Sequence, residues 1–370
     1  MINLQDKKDC CGCHACANVC PKHCIEMKAD EQGFLYPNVD TAKCIDCGLC
    51  EKVCPVINQS NPSKPLKVYA AKNTDEEIRL QSSSGGIFTL LAEKIISDGG
   101  VVFGAKFDAE WNVVHSWTDT IEAISDFRGS KYVQSTIGDT YREAKEFLEQ
   151  GRHVLFSGTP CQIAGLKKYL RKEYDKLITA EVVCHGVPSP KIWNEYLNSL
   201  QLIDIGTISH KDKRTGWRSY SFSIRNKDGK VIYAEKASEN KYLSAFIKNL
   251  TLRPSCFSCP SKSCKSLSDF TLADFWGIEH LLPHMDDNKG TSFVCINTQK
   301  GIGIINQLNI KLDNADYQKS IQYNLCIEKS VNHSATREKF WENYMINGIK
   351  ALPNIKKENV LKRMIKRLLK

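Results

Sequence analysis

No part of this 370-residue chain holds the roughly 18 successive apolar residues that a membrane span needs; the longest apolar runs are as short as Val101 to Ala105. No strand-like run leads into G-x-G-x-x-G either, so the standard dinucleotide fingerprint is missing. Met1 to Asp9 has no apolar h-region, which predicts that no signal peptide stands here and that the chain is cytoplasmic. Basic residues are scarce where a nucleic-acid surface would need them. Of the formal charge of +9, Lys350 to Lys370 contributes +7, eight Lys or Arg against Glu358, and the body is near neutral. What remains is a globular chain, 42% hydrophobic, with room for a small module and one or two larger domains.

Cysteine, by contrast, is abundant at 17 residues. Cys10, Cys13, Cys16 and Cys20 run into Pro21, and Cys44, Cys47, Cys50 and Cys54 run into Pro55. In this twice-made C-x2-C-x2-C-x3-C-P spacing, the first three cysteines of each run bind one 4Fe-4S cluster and the fourth crosses to the other. The spacing therefore pairs Cys10, Cys13 and Cys16 with Cys54, and Cys44, Cys47 and Cys50 with Cys20. Three thiolates on a tight loop reach three corners of a cube, while the fourth, fixed by the following proline, faces away. Zinc ribbons use paired C-x2-C knuckles but need no third cysteine and no trailing Cys-Pro, and disulfides do not suit an intracellular chain. Cys11 and Cys24, surplus to the eight, read as buried spare thiols.

Between the runs, Ile25 to Tyr36 reads as a hairpin turning at Gln32-Gly33. Asn58 to Pro65 has the polar, proline-containing composition of a linker. The two-cluster module is thus predicted over residues 1–57 and the linker over 58–66. From Val68 the pattern changes. Strands at Val68–Ala71, Val101–Ala105, His153–Phe156 and Ile178–Val183 alternate with helices that begin near Ile87, Asp139, Pro160 and Ser189, which predicts an α/β domain over 67–310. A hairpin signal at Asn226-Lys227-Asp228-Gly229 adds antiparallel character. The fold class expected is an α+β ferredoxin-like two-cluster module followed by a larger α/β domain with a mixed, largely parallel sheet. A helical extension over 311–358 and a basic amphipathic tail over 359–370 complete the chain. In the tail Leu361, Ile365, Leu368 and Leu369 oppose Lys362, Arg363, Lys366 and Arg367, a face suited to a membrane surface or an acidic partner.

Several other residues carry chemistry. Cys161 follows Gly158-Thr159-Pro160 at the positive end of a helix dipole, where thiolate is favoured. Cys184 ends a strand on the side where parallel sheets hold ligands, and Cys256 and Cys259 share a loop. Cys161, Cys184, Cys256 and Cys259 are expected to form a third four-thiolate site, with Cys264 as a substitute ligand. The competing expectation is zinc on Cys256, Cys259, His280 and His284. Cys295 and Cys326 read as core residues, His185 as either a proton donor or a structural histidine beside Cys184, and no catalytic residue is assigned. Ser82-Ser83-Ser84-Gly85-Gly86 precedes a helix in the manner of a phosphate site, or of a plain cap.

The twin cysteine runs, SSSGG, GSKYVQS (Gly129 to Ser135), GTPCQIAGLK (Gly158 to Lys167), CHGVPSP (Cys184 to Pro190), the C-x2-C before LADFWG, and GTSFVCINT (Gly290 to Thr298) together resemble the family of coenzyme F420 hydrogenase/dehydrogenase beta subunits. The resemblance implies FAD beside the iron-sulfur clusters. Through it FAD is placed on Ser83, Ser84, Gly85, Gly86, Lys131, Tyr132, Ser135 and Thr159. The function it implies is an oxidoreductase that takes electrons from ferredoxin or another donor protein, through two 4Fe-4S clusters and a third, to FAD and a small organic acceptor. An electron-relay subunit whose chemistry happens in a partner is the alternative.

Overall fold

The computed structural model describes residues 1–353; the expected basic tail at 359–370 lies outside them. The N-terminal module carries the hairpin foreseen between the cysteine runs, β1 (Ile25–Ala29) against β2 (Leu35–Val39), with Ile25 opposite Val39 and Ala29 opposite Leu35. The body follows with β3 (Lys67–Asn73), β4 (Val101–Phe107), β5 (Val113–Thr118), β6 (Val154–Gly158) and β7 (Leu177–Val182). Next come β8 (Ile205–Asp212), β9 (Ser221–Asn226), β10 (Val231–Lys236), β11 (Phe270–Asp274), β12 (Ser292–Ile296) and β13 (Ile310–Asn314).

Eight strands form one sheet in the order β13-β3-β12-β11-β7-β6-β4-β5. Val101–Phe103, Val154–Phe156, Leu177–Ala180 and Ser292–Ile296 are buried without alternation, the mark of strands covered on both faces. The helices Ile87–Ser97, Thr140–Glu149 and Pro160–Leu170 provide the cover. The sheet is mixed, but the expectation that it is largely parallel fails. Only β4–β6, β6–β7 and β7–β11 run parallel, and the four outer pairings are antiparallel. For β4–β5 the reason is local. β5, not foreseen, returns directly from β4 through an Asp108 turn, in which the carboxylate accepts from the amides of Glu110 and Asn112, so no crossover helix intervenes.

The hairpin at Asn226–Gly229 forms as expected, yet it joins β8 in a separate three-stranded sheet, β10-β9-β8. That sheet rests on the Pro190–Ser199 helix through Trp193, Tyr196, Phe222 and Tyr242. The boundary expected after residue 310 falls at the start of β13, which pairs with β3 in the main sheet. The stretch expected to be helical therefore opens on a strand. Among the described residues no helix is long and apolar enough to cross a membrane.

The N-terminal module is clamped to the body. Arg142 donates from Nε to the Asn18 carbonyl at 3.0 Å and from Nη2 to that of Ala17 at 3.2 Å, while Asn18 Nδ2 donates to the Gly138 carbonyl at 2.8 Å. Ser189 Oγ donates to the Gln32 carbonyl at 2.5 Å. A close approach on the sheet side is at Gly165, where a Cβ would stand 2.9 Å from both Cys13 Cβ and Tyr141 Oη. Gly165→Ala should therefore destabilise the protein by about 1–3 kcal/mol through overpacking. Thermal unfolding measures this, and an unchanged Tm would show that the module yields at this contact.

Candidate metal centres and cofactor loops

The two cysteine runs are wound alike. Gly12 and Asp46, at matching places in the two runs, have φ of 68° and 50°, and His14 and Gly48, also matched, have 61° and 71°. Two left-handed residues in so short a loop curl it around its sulfurs, a conformation that glycine adopts freely and Asp or His tolerates at a cost. The curl also aims amides at sulfur: Gly12 N–H donates to Cys10 Sγ and Asp46 N–H to Cys44 Sγ, each at 3.4 Å, and Ile2 N–H to Cys50 Sγ at 3.3 Å.

Two cavities result. Cys20, Cys44, Cys47 and Cys50 line one, with Cys24 at its wall. Cys10, Cys13, Cys16 and Cys54 line the other, with Cys11 at its wall. Cys20 and Cys54 have thus changed places between the runs, as the spacing anticipates. The first cavity is the outer one, since Cys47 is exposed, whereas Cys13 and Cys16 at the inner one are buried. Burial, then the neighbouring Cys10 and Cys54, push the Cys16 thiol up to about 12, so these sulfurs ionise together only when a metal takes their charge. Among the described residues no group of three or more His, Cys, Asp or Glu side chains is arranged to hold a single metal ion. Four sulfurs around a cavity with amide donors behind them fit a 4Fe-4S cluster. Cys11 and Cys24 are buried, as expected of spare thiols, and Cys24 Sγ lies 3.4 Å from Cys20 Sγ.

Of the third set, Cys161 stands in the first turn of the Pro160–Leu170 helix, Cys184 just after β7, and Cys256 and Cys259 at the turn Pro254–Ser258. Thr159 and Gln162 form a capping box at the Pro160–Leu170 helix, and Thr159 Oγ1 sits 3.3 Å from Cys161 Sγ. Cys184 is within electrostatic reach of Cys256, Cys161 and Cys259. Burial raises all four thiols, Cys256 to about 12 and Cys259 to about 11, while for Cys161 a hydrogen bond with Cys11 contributes most. Val187 N–H donates to Cys256 Sγ at 3.4 Å, the same support seen in the N-terminal runs. Cys264 lies apart, buried near Glu181 and Thr271. The zinc alternative is not assembled: the His280 and His284 side chains are 66% and 63% exposed, and His284 binds Asp313. Cys326 is not the core residue expected; it is partly exposed, with Sγ 3.8 Å from His185 Nδ1. His185 Nε2 meets Asn249 Oδ1 at 2.6 Å, which engages both ring nitrogens and keeps the histidine structural.

The structure joins the two loops implied to carry the flavin. Ser83 Oγ accepts from Ser130 N–H at 2.6 Å and from Ser130 Oγ at 2.9 Å. At the other end of the GSKYVQS stretch, Ser135 Oγ accepts from Gln162 Nε2 at 2.9 Å, and the same Gln162 bonds Thr159. This stretch therefore links the SSSGG loop to the helix that carries Cys161. Tyr132 stacks on Phe246 with ring centroids 4.9 Å apart and accepts through its carbonyl from Tyr242 Oη. Ser84 Oγ donates to the Thr291 carbonyl. Gly85, expected to offer an open amide, donates it to Ser292 Oγ at 2.9 Å, and a Cβ there would stand 2.3 Å from the Ala71 carbonyl oxygen. Its smallness serves close packing against β3 and β12. Gly86 caps the Ile87–Ser97 helix in the left-handed region, φ 84°.

Two lysines add positive charge beside these loops. Burial lowers Lys131 to about 8 and Lys213 to about 7. Lys213 Nζ donates to the carbonyls of Ser84 and Lys289, and to that of Arg79 at 2.5 Å. Neither lysine forms an ion pair among the described residues, and the three N–H groups of Lys213 are taken up by these carbonyls, so Lys213 ties the SSSGG loop to its neighbours. Lys213 escaped the sequence reading because nothing in Asp212-Lys213-Arg214 distinguishes it from a solvated turn.

Comparison with known families decides where this architecture belongs. Residues 68–140 match the N-terminal model, and residues 151–317 the C-terminal model, of the coenzyme F420 hydrogenase/dehydrogenase beta subunit. Residues 9–58 match a 4Fe-4S dicluster domain. The chain belongs to the family of coenzyme F420 hydrogenase/dehydrogenase beta subunits. It is 30% identical over 210 residues to the coenzyme F420-dependent sulfite reductase of Methanocaldococcus jannaschii, which covers 53% of this chain and 31% of that protein. It is 24% identical over 241 residues to one of the subunits of the F(420)H(2) dehydrogenase of Methanosarcina mazei, 60% of this chain and 65% of that protein. The chain thus spans less than two thirds of either relative. In fold it matches a chain of the F420-reducing [NiFe] hydrogenase complex from Methanosarcina barkeri, with a TM-score of 0.50 and 18% identity over 79% of this chain and 97% of that one.

The family is one of oxidoreductases, and its member here carries an iron-sulfur dicluster domain. Three loaded centres correspond to about twelve irons per chain and two to about eight. Cys161→Ser should accordingly lower the iron content from about twelve to about eight and leave the N-terminal pair loaded. Iron assay with EPR of the reduced protein checks this, and unchanged iron would remove Cys161 from the ligands.

Proposed function

We propose that the chain is an iron-sulfur flavoprotein that carries electrons from a low-potential donor such as ferredoxin to a small organic acceptor of the F420 kind. The observation that carries this reading is the seating of the inner four-cysteine cavity against the helix whose first turn holds Cys161. Cys13, at that cavity, lies against Gly165, and Cys161 lies on the same helix. The residues then form a series from the exposed Cys47, through the inner cavity, to Cys161 and the loops around Ser83 and Ser130.

In this reading Cys10, Cys13, Cys16 and Cys54 hold one 4Fe-4S cluster and Cys20, Cys44, Cys47 and Cys50 a second. Cys161, Cys184, Cys256 and Cys259 hold a third. Ser83, Ser84, Gly86, Lys131, Tyr132, Ser135 and Thr159 hold FAD. FAD, when bound, supplies the hydride chemistry that one-electron centres lack. Gly85 shapes the loop without lending its amide. Lys131 offsets phosphate charge, and Tyr132 is fixed by Tyr242 and Phe246. A second reading, a relay protein that needs a partner for its chemistry, draws support from the share of each relative that the chain spans, one of those relatives being part of a larger dehydrogenase.

Rapid anaerobic mixing of the reduced, reconstituted chain with deazaflavin and other two-electron acceptors tests the proposal. Cluster and flavin absorbance should change together as the acceptor is reduced. Turnover seen only after a partner is added would favour the relay reading, and flavin that stays oxidised beside reduced clusters would exclude the reductase.

A further inference from the structure

Arg253 is fully buried, 0% exposed, and among the described residues it makes no ion pair with a carboxylate. Its guanidinium donates from Nε to the Cys10 carbonyl at 2.7 Å, from Nη1 to Gln134 Oε1 at 3.0 Å and from Nη2 to the Leu35 carbonyl at 2.9 Å. The Tyr36 ring lies 4.2 Å from it. These contacts solvate the cation but bring no negative charge, and a buried charge without a counter-charge is strongly unfavourable. What the position does offer is sulfur on two sides. Cys10 belongs to the inner cavity, and a Cβ at Gly12 would lie 2.8 Å from Arg253 Nη1. Three residues further along, Cys256 belongs to the Cys161 group, and its N–H bonds the Arg253 carbonyl. Lys262 repeats the construction on the far side of that group. It is 8% exposed, and its Nζ donates to the Cys184 and Cys326 carbonyls at 2.6 Å each.

We propose that Arg253 is the shared counter-cation of two iron-sulfur centres, the inner N-terminal one and the Cys161 one, and raises the reduction potential of both above what their sulfurs alone would give. This rests on the reading that both cysteine sets hold clusters. An iron-sulfur cluster gains one negative charge when reduced, and a fixed cation in a low-dielectric site stabilises that charge. The cations beside the outer centre at Cys20, Cys44, Cys47 and Cys50, the Met1 ammonium and Lys22, are exposed, so water and salt screen them. An electron leaving the outer centre is therefore drawn inward, the outer centre being oxidised by one electron and the inner one reduced by one. Arg253 is a positioning residue that acts through the clusters and touches no substrate.

EPR-monitored redox titration of the full chain with its clusters loaded tests the proposal on wild type, Arg253→Gln, Arg253→Lys and Gln134→Glu. Arg253→Gln and Gln134→Glu should each lower the midpoint potentials of the inner and Cys161 centres. The expected shift corresponds to a tenfold or greater change in their electron-transfer equilibrium with the outer centre, about 59 mV for a one-electron couple. The outer potential should stay in place, and Arg253→Lys should remain near wild type. Gln134→Glu keeps the guanidinium and sets a carboxylate against it, so it decides the matter if Arg253→Gln fails to fold or loses iron. Full iron content with unmoved potentials in Gln134→Glu overturns the proposal alone. A wild-type chain with no cluster on Cys10, Cys13, Cys16 and Cys54 overturns the underlying reading and the proposal with it.

Discussion

The arrangement depends on one close approach, that of the Cys10–Cys16 loop to the helix beginning at Pro160. A side chain at residue 165 would meet Cys13 and Tyr141 below van der Waals distance, so glycine there lets a metal-binding loop lie on a helix backbone. The same helix starts with Cys161. A dipole that favours thiolate, a capping box that fixes the first turn and a contact that seats the N-terminal module are therefore properties of a single element. Electron transfer between centres falls off steeply with separation, and this contact sets the separation between the inner cavity and the Cys161 group.

Polar interactions arrange the rest around that contact. Gln134 sits where the module, the GSKYVQS stretch and the Cys256 loop meet: its Nε2 donates to the Cys11 carbonyl and its Oε1 accepts from Arg253. Gln162 ties Thr159 and Ser135 together one turn from Cys161. Sulfur at the centres is met by backbone N–H, from Gly12, Asp46, Ile2 and Val187. Amide donors of this kind are among the protein's means of setting a cluster potential, together with burial and net charge.

What could be read from the sequence was what is encoded locally. The eight N-terminal cysteines declare their pairing through spacing alone, and the strands at Val101, Val154 and Leu177 declare themselves as apolar runs between helices. Cys161, Cys184, Cys256 and Cys259 stood out in the sequence because each stands at a strand end, a helix start or a C-x2-C turn. The antiparallel edge at β3 was not legible, since which strands neighbour it depends on long-range pairing that no window of residues contains, whereas the β4–β5 return is a local turn that went unread. Gly85 misled for the same reason: a glycine before a helix looks like a phosphate cradle, but the atoms that demand its smallness belong to Ala71 and Ser292, far away in the chain. Arg253, Lys213 and Lys262 were invisible because charged residues are expected in water, and only the fold reveals that these three are buried beside sulfurs or backbone carbonyls.

The central claim is that the inner N-terminal centre and the Cys161 centre are neighbours in one electron path. The most direct measurement is EPR power saturation and line shape of the fully reduced, iron-loaded chain, which report magnetic interaction between nearby paramagnetic clusters. The account predicts that the inner centre in wild type is broadened and relaxed beyond what the outer centre alone causes, and that this excess disappears once Cys161 is replaced by Ser while the interaction within the N-terminal pair remains. Signals that relax independently in the wild-type chain, with all three centres loaded and reduced, would contradict it.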